Sequence, residues 1–294
     1  MCVSGRRLTR AHMTAGGRPE WEAEVDLTAE RAAALAGRPL SPFANGWDKT
    51  VFVDEHDRLV AFCRRGVAVT GMHREIDVLP RIAALLPLPV PAPYDIGTFG
   101  EQDWPWWSMS RLVGTELALS HLDDRVRLAR DVGGFLRALH ALPAPVELPV
   151  DPTNRSDARR RAGMARDRLA RIGIEPPSCL HTTLGPSRHQ PVLSHGDLHL
   201  RHVLVDDERC SGVIDWGDVC LADRSLDLSV AYAGFEGTAR AALVDAYGGV
   251  DGECDERARV LAAMLCSALA EQALSDGNTA LLEGALDGIR RTDR

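Results

Sequence analysis

The residues best suited to chemistry lie in one stretch, His195-Gly196-Asp197-Leu198-His199-Leu200-Arg201-His202-Val203-Leu204-Val205. Gly212-Val213-Ile214-Asp215-Trp216-Gly217-Asp218 follows it. Asp197 and Asp215 each sit at the edge of a short apolar run. A loop and hairpin between them would let both carboxylates converge at one end of the strands. Such a pair suits phosphoryl transfer, in which one carboxylate accepts the proton of an acceptor hydroxyl and another holds Mg²⁺ against nucleotide phosphates. Mg²⁺ keeps several waters, so one or two protein ligands suffice. The spacing His195-x-Asp197-x-His199-x-x-His202 also admits a hydrolytic zinc site, since alternate residues of a strand share a face. Against zinc, no distant His-rich segment supplies the remaining ligands.

The elements that must position these groups can be read from periodicity. TVFVD and RLVAFC, separated by Glu55-His56-Asp57-Arg58, form a hairpin signature between Trp47 and Cys63. A helix is expected near Gly71–Leu86, stopped by LPLPVPAP, whose prolines force extended backbone. WPWWSMSRLV reads as another strand ending at Gly114. Beyond it helices dominate: Asp123–Leu142, with Asp123 or Asp124 as N-cap, then the Arg-rich residues 155–174, read as a solvated helix. HVLVDDERCSGVIDW places two short strands about a turn, and four further helical segments follow, at 226–232, 238–247, 256–274 and 278–289. Strands cluster early and helices late, which is not the alternation of a doubly wound sheet.

Composition narrows the partners. The chain has 294 residues, 45% of them hydrophobic, enough to build a core and to exclude a wholly disordered chain. No apolar run approaches the roughly 20 residues that a membrane span needs. Residues 195–294 hold 19 acids against 9 Lys and Arg, which argues against nucleic acid and reads as an acidic solubilising surface or as a half suited to a cationic or metal-bound ligand. Basic charge comes almost wholly from arginine, Lys49 being the single lysine. Seven scattered cysteines without a C-x-x-C pair read as free thiols in a reducing cytoplasm. Residues 1–20 are expected to be a flexible leader, with the fold beginning near Trp21.

The block from His195 to Leu204, followed by Ile214-Asp215-Trp216-Gly217, resembles the aminoglycoside/macrolide phosphotransferase family, distant relatives of the eukaryotic protein kinases. Further matches follow in order: Ala44-Asn45-Gly46-Trp47-Asp48 before the first strand, Glu75 in the helix, MSRLVG at 109–114, ALH at 138–140 and LADRSLDLS at 221–229. The resemblance covers about residues 40–290. It implies a two-lobed α+β, protein-kinase-like fold. An N-terminal lobe at 21–110, an antiparallel sheet with one main helix, would bind nucleotide; a mostly helical C-terminal lobe at 111–294 would carry catalysis and substrate. It also implies an enzyme that moves the γ-phosphate of ATP or GTP to a hydroxyl of a small molecule, with Mg²⁺. The acceptor it suggests is an antibiotic of macrolide or aminoglycoside type. Asp197 would be the catalytic base, Asp215 and His202 the metal ligands (His202 alternatively a hydrogen bonder that packs the loop), and His195 a structural brace. Ser110, Arg111 and Leu112 would offer backbone groups to the nucleobase. The family's strand Lys or Arg, paired with the helix Glu, falls on Ala61 when counted back from Glu75. Substitutes are Arg64, Arg65 (on the face of Ala61 if the strand runs so far) and Lys49 in the loop over the phosphates. Alternatives are a sugar, choline or homoserine kinase and a catalytically weak kinase-like nucleotide binder. The expected state is a cytoplasmic monomer or homodimer without nucleic-acid or membrane partners.

Overall fold

The computed structural model describes residues 23–46 and 48–293, so the expected leader lies outside the described residues. The chain divides into two compact units. The first holds the described residues through Met72 together with Tyr94–Met109; the second holds His73–Pro93 and the chain from Ser110 onward.

Unit 1 begins with α1, Ala29–Ala36, a helix absent from the sequence reading. Thr28 Oγ1 accepts from Arg31 N at its start, and Gly37, in the left-handed conformation, ends it. Then come β1 (Ser41–Asn45), β2 (Lys49–Val53), β3 (Arg58–Cys63), α2 (Gly66–Ile82), β4 (Pro93–Phe99) and β5 (Trp104–Ser110). The expected hairpin is β2–β3. Asp54 Oδ1 accepts from His56 N and Arg58 N at 2.9 and 3.0 Å, which fixes the turn. β1 pairs antiparallel with β2, and β2 with β3, in a five-stranded sheet ordered β1-β2-β3-β5-β4. Phe52, Phe62, Phe99 and Trp106 form its apolar side. Phe62 meets Phe52 and Phe99 edge-on and stacks on Trp106. The cross-strand pairs Lys49↔Cys63 and Val51↔Ala61 put Lys49 on the same face as fully buried Ala61.

α2 starts five residues earlier than expected and runs across the boundary between the units. In unit 2 follow β6 (Thr115–Glu116), α3 (Val126–Ala141), α4 (Ala158–Ile172), β7 (Val192–Ser194), β8 (Val203–Asp206), β9 (Arg209–Val213) and β10 (Cys220–Ala222). The chain continues with α5 (Ser225–Gly234), α6 (Gly237–Tyr247), α7 (Gly252–Asp276) and α8 (Thr279–Thr292). Two small sheets, β10-β7 and β6-β8-β9, carry the chemical stretch between them. Asp124 Oδ1 accepts from Val126 N ahead of α3, and Asp157 caps α4. Every residue of α5 is buried, so this helix forms the centre around which α3, α7 and α8 pack. Among the described residues no helix is long and apolar enough to cross a membrane, and the six described cysteines are free. Burial pushes the thiols of Cys63 and Cys179 up to about 11.

Glycines fix the closest approach in this packing. A Cβ on Gly133 of α3 would collide with the Leu243 carbonyl of α6, whereas one on Gly134 would meet nothing. Gly133→Ala is therefore expected to lower folding stability by about 1–3 kcal/mol. Gly134→Ala should leave it unchanged or raise it by up to about 1 kcal/mol through helix propensity. Urea midpoints of the two variants check this, and equal midpoints would contradict the packing argument.

Candidate active site

The site in unit 2 is built from the turns that follow β7 and β9. Asp227, buried in α5, accepts from His195 N at 2.7 Å and from Gly196 N at 3.1 Å, and so shapes the turn ahead of Asp197. Gly196 has φ +85°, and a Cβ there would strike the Asp218 carbonyl, so both conformation and space require glycine. His140 of α3 meets Asp227 Oδ2 through Nε2 at 3.2 Å and Tyr247 Oη through Nδ1 at 3.0 Å. Burial opposes the charge of Asp227, but the hydrogen bond and charge of His140, with His195 behind them, hold its carboxyl below the usual range. Asp223 does the same kind of work at the start of α5, accepting from Ser225 N at 2.7 Å.

Backbone partners assign the tautomers of the imidazoles. His195 is fully buried; its Nδ1 accepts from Asp197 N at 3.3 Å, so Nε2 donates to Ile214 O at 3.0 Å and ties the two turns together. His199 Nδ1 accepts from Arg201 N at 3.2 Å, which leaves the proton on Nε2. Burial, and then neighbouring His202, push His199 well below its ordinary value. His202 Nδ1 donates to Asp197 O at 2.8 Å, so its Nε2 lone pair faces Asp215 Oδ2 at 3.5 Å. The rings of His199 and His202 lie 3.7 Å apart, and His199 Nε2 is 4.0 Å from Asp197 Oδ2. Two imidazoles thus lie between the two carboxylates. A nitrogen lone pair facing a carboxylate oxygen is stabilised by a cation between them, so Asp215 and His202 fit a divalent ion with water completing its shell. Asp197, His199 and His202 also stand close enough to share a metal. With its Nε2 protonated, however, His199 offers no lone pair there, and the two remaining ligands fall short of a zinc site.

Asp215 adopts φ +64°, a left-handed backbone uncommon outside glycine. The chain just after it is held by α2: Glu75 Oε1 accepts from Trp216 N at 2.9 Å, and Arg74 Nη2 donates to Gly217 O at 3.0 Å. Glu75 is 2% exposed. The Trp216 indole is buried against His195 and Phe135. Arg155 completes the cluster, although the sequence groups it with a solvated helix. It lies ahead of α4, and its guanidinium reaches Asp197 Oδ1 at 2.7 Å and Asp218 Oδ2 at 2.9 Å.

The other sequence-derived candidates occupy different places. Ser110 ends β5; Arg111 and Leu112 follow it without regular structure, Arg111 exposed. The Leu112 side chain packs so closely on Gly212 that a Cβ there could not fit. In unit 1, Lys49 opens β2 rather than lying in a loop. β3 ends at Cys63, so strand parity does not carry to Arg65, whose guanidinium instead binds Asp48, Nε to Oδ1 at 2.8 Å. Arg64 is engaged by Asp26 and the Gly46 carbonyl.

A family model described as the phosphotransferase enzyme family matches residues 39–262. Among solved structures, the chain is similar to the GDP complex of wild-type aminoglycoside 2'-phosphotransferase-IIIa, at 18% identity and TM-score 0.63, over 86% of this chain and 92% of that one. It is similar to the macrolide 2'-phosphotransferase MphH from Brachybacterium faecium at 23% identity and TM-score 0.55, over 88% and 96% of the two chains. A third is aminoglycoside phosphotransferase APH(3'')-Id from Streptomyces rimosus with ADP and streptomycin, at 21% identity and TM-score 0.53, over 81% and 95%. These likenesses carry the expected protein-kinase-like α+β fold, an antiparallel N-terminal sheet followed by a helical part.

The buried carboxylate gives a pH test. Because Asp227 is held below its ordinary value, its contribution is full above the unfolded carboxyl value of about 4 and is lost as pH falls through the folded one. Asp227→Ala is expected to cost about 3–5 kcal/mol at pH 7. The gap to wild type should narrow as acid is added, and denaturant melts across a series of pH values from neutral into acid read it. A gap that widens in acid would refute the charged role.

Proposed function

Since the chain belongs to the phosphotransferase enzyme family, we propose that it moves the γ-phosphate of ATP or GTP to a hydroxyl of a small molecule, an antibiotic of macrolide or aminoglycoside type. The observation that carries this reading is the convergence of Asp197 and Asp215 across the His199–His202 pair. Relatives of the same fold are described with GDP, with ADP and streptomycin, and as macrolide 2'-phosphotransferases. The acidic second half of the chain suits the amino groups of such acceptors, and the cytoplasm supplies both nucleotides.

Asp197 is the base. It receives the acceptor O–H proton while the acceptor oxygen bonds to the γ-phosphorus and the bond to the β-phosphate oxygen breaks, releasing nucleoside diphosphate. Asp215 and His202 hold Mg²⁺, which when bound neutralises charge on the phosphates. Lys49 and Arg65 are the candidate phosphate cations in place of a residue at Ala61, Lys49 favoured by sharing its sheet face. Ser110, Arg111 and Leu112 present backbone to the nucleobase. Glu75 serves here by holding Trp216 N, next to Asp215. Most of the rate comes from positioning and charge neutralisation, because the loose transition state asks little covalent chemistry of the protein.

Incubation of the protein with Mg²⁺, ATP or GTP and a panel of hydroxylated antibiotics, sugars, choline and homoserine, read by mass spectrometry, is expected to show one phosphate gained by an antibiotic. A gain on a metabolite alone would shift the substrate class, and no gain on any compound would reject the transferase reading. Asp197→Ala and Asp215→Ala are each expected to lose at least ~10²-fold in kcat; near-wild-type turnover in either removes its assigned role. Lys49→Ala should raise the nucleotide KM by ~10-fold or more, the worth of a charged hydrogen bond. If Lys49→Ala, Arg65→Ala and the double variant all bind nucleotide as wild type does, neither residue replaces the strand cation.

A further inference from the structure

Arg155 is a charged group in unit 2 whose placement is built by several contacts and whose role the family reading leaves open. Its backbone is fixed before its side chain begins. Asp151 accepts from Arg155 N at 2.6 Å and from Ser156 N at 2.8 Å. Asp151 N in turn donates to Leu221 O at 2.8 Å, and Leu221 N to Pro149 O at 3.0 Å. Leu221 belongs to β10, paired with β7, the strand that leads into Asp197. The loop carrying Arg155 is therefore stitched to the same small sheet as the carboxylate it reaches. From there the guanidinium makes three contacts in two directions. Nη1 lies 2.7 Å from Asp197 Oδ1 and donates to Gly196 O at 3.1 Å, and Nη2 donates to Asp218 Oδ2 at 2.9 Å. Burial alone would lower the Arg155 value, but the carboxylates of Asp197 and Asp218 outweigh it and hold the guanidinium firmly charged.

We propose that Arg155 is a positioning residue for phosphoryl transfer, gripping Asp197 Oδ1 so that Oδ2 is the oxygen presented to the acceptor hydroxyl. The proposal rests on Asp197 being the base. The Asp197 side chain is 25% exposed and would otherwise turn about its terminal bond. The single ion pair from Nη1, on a guanidinium itself anchored by its bonds to Gly196 O and Asp218 Oδ2, favours one orientation of that carboxylate. Among the described residues Oδ2 has His199 Nε2 at 4.0 Å, beyond hydrogen-bond reach, so the acceptor proton can be delivered there while Oδ1 stays engaged. Asp218 has a part in the same device. As the proton moves from the acceptor oxygen to Asp197 Oδ2, negative charge leaves Asp197, and Asp218 remains as counter-charge for the guanidinium.

The test uses the full chain and whichever panel compound wild type phosphorylates. Arg155→Gln is expected to lower kcat by ~10- to 100-fold, the scale for a misplaced reacting group, with both KM values within about twofold. Arg155→Lys should recover part of the loss and, if the Gln variant folds poorly, supplies the measurement alone through a smaller drop in kcat at unchanged KM. In an Asp197→Asn background, Arg155→Gln should add less than about twofold, because the two act as one unit. Unchanged or increased kcat in Arg155→Gln would overturn the proposal, the increase marking Arg155 as a brake. A raised acceptor KM at unchanged kcat would also overturn it, as would an undiminished loss in the Asp197→Asn background. Wild type that phosphorylates nothing in the panel removes the transferase reading and this inference with it, whereas an active wild type with an indifferent Arg155 variant removes the inference alone.

Discussion

One buried carboxylate sets the geometry of the chemical stretch. Asp227 accepts two successive backbone N–H groups, from His195 and Gly196, and these fix where the chain turns before Asp197. A carboxylate so deep in α5 must be compensated, and His140, itself held by Tyr247, supplies the compensation. The consequence spreads through three helices. α3 contributes His140, α6 contributes Tyr247, and Gly133 lets these two helices approach closely. Packing far from the candidate base therefore reaches it through a short chain of hydrogen bonds.

A second constraint acts through imidazoles. His195 takes Asp197 N on one nitrogen and gives the other to Ile214 O, so the turns after β7 and β9 cannot move independently. His202 repeats the device, spending Nδ1 on Asp197 O and aiming Nε2 at Asp215. In His199 and His202 a backbone contact decides which nitrogen carries hydrogen, and that decision leaves one acceptor for a metal in His202 and none in His199. α2 adds a further brace, Glu75 and Arg74 holding the backbone at Trp216 and Gly217.

Much of this arrangement is legible in the sequence. β2 and β3 show apolar alternation about a polar turn, and the helix at α3 carries a clear apolar stripe. β1 is exposed along its whole length and α1 is a short alanine-rich run, so neither shows an apolar stripe, although Thr28 and Gly37 mark the ends of α1. The chemical stretch is visible because its residues are close in sequence. Arg155 is not, because its partners lie roughly forty and sixty positions away and its own neighbours are arginines of an ordinary surface helix. The parity argument for Arg65 depends on β3 continuing, and the chain instead turns after Cys63 to bring Arg65 to Asp48. Ala61 is fully buried, a setting that fits a methyl and would not readily fit a charge without a partner.

The backbone at Asp215 has an evolutionary corollary. A positive φ is tolerated best by glycine and asparagine, and both are reached from an aspartate codon by a single base change. At this position the negative charge can therefore vanish while the turn survives undisturbed. If Asp215 holds the metal as proposed, a lineage of such proteins could fall silent in one step and still yield well-folded, abundant product, making expression and solubility poor witnesses to whether any copy still works.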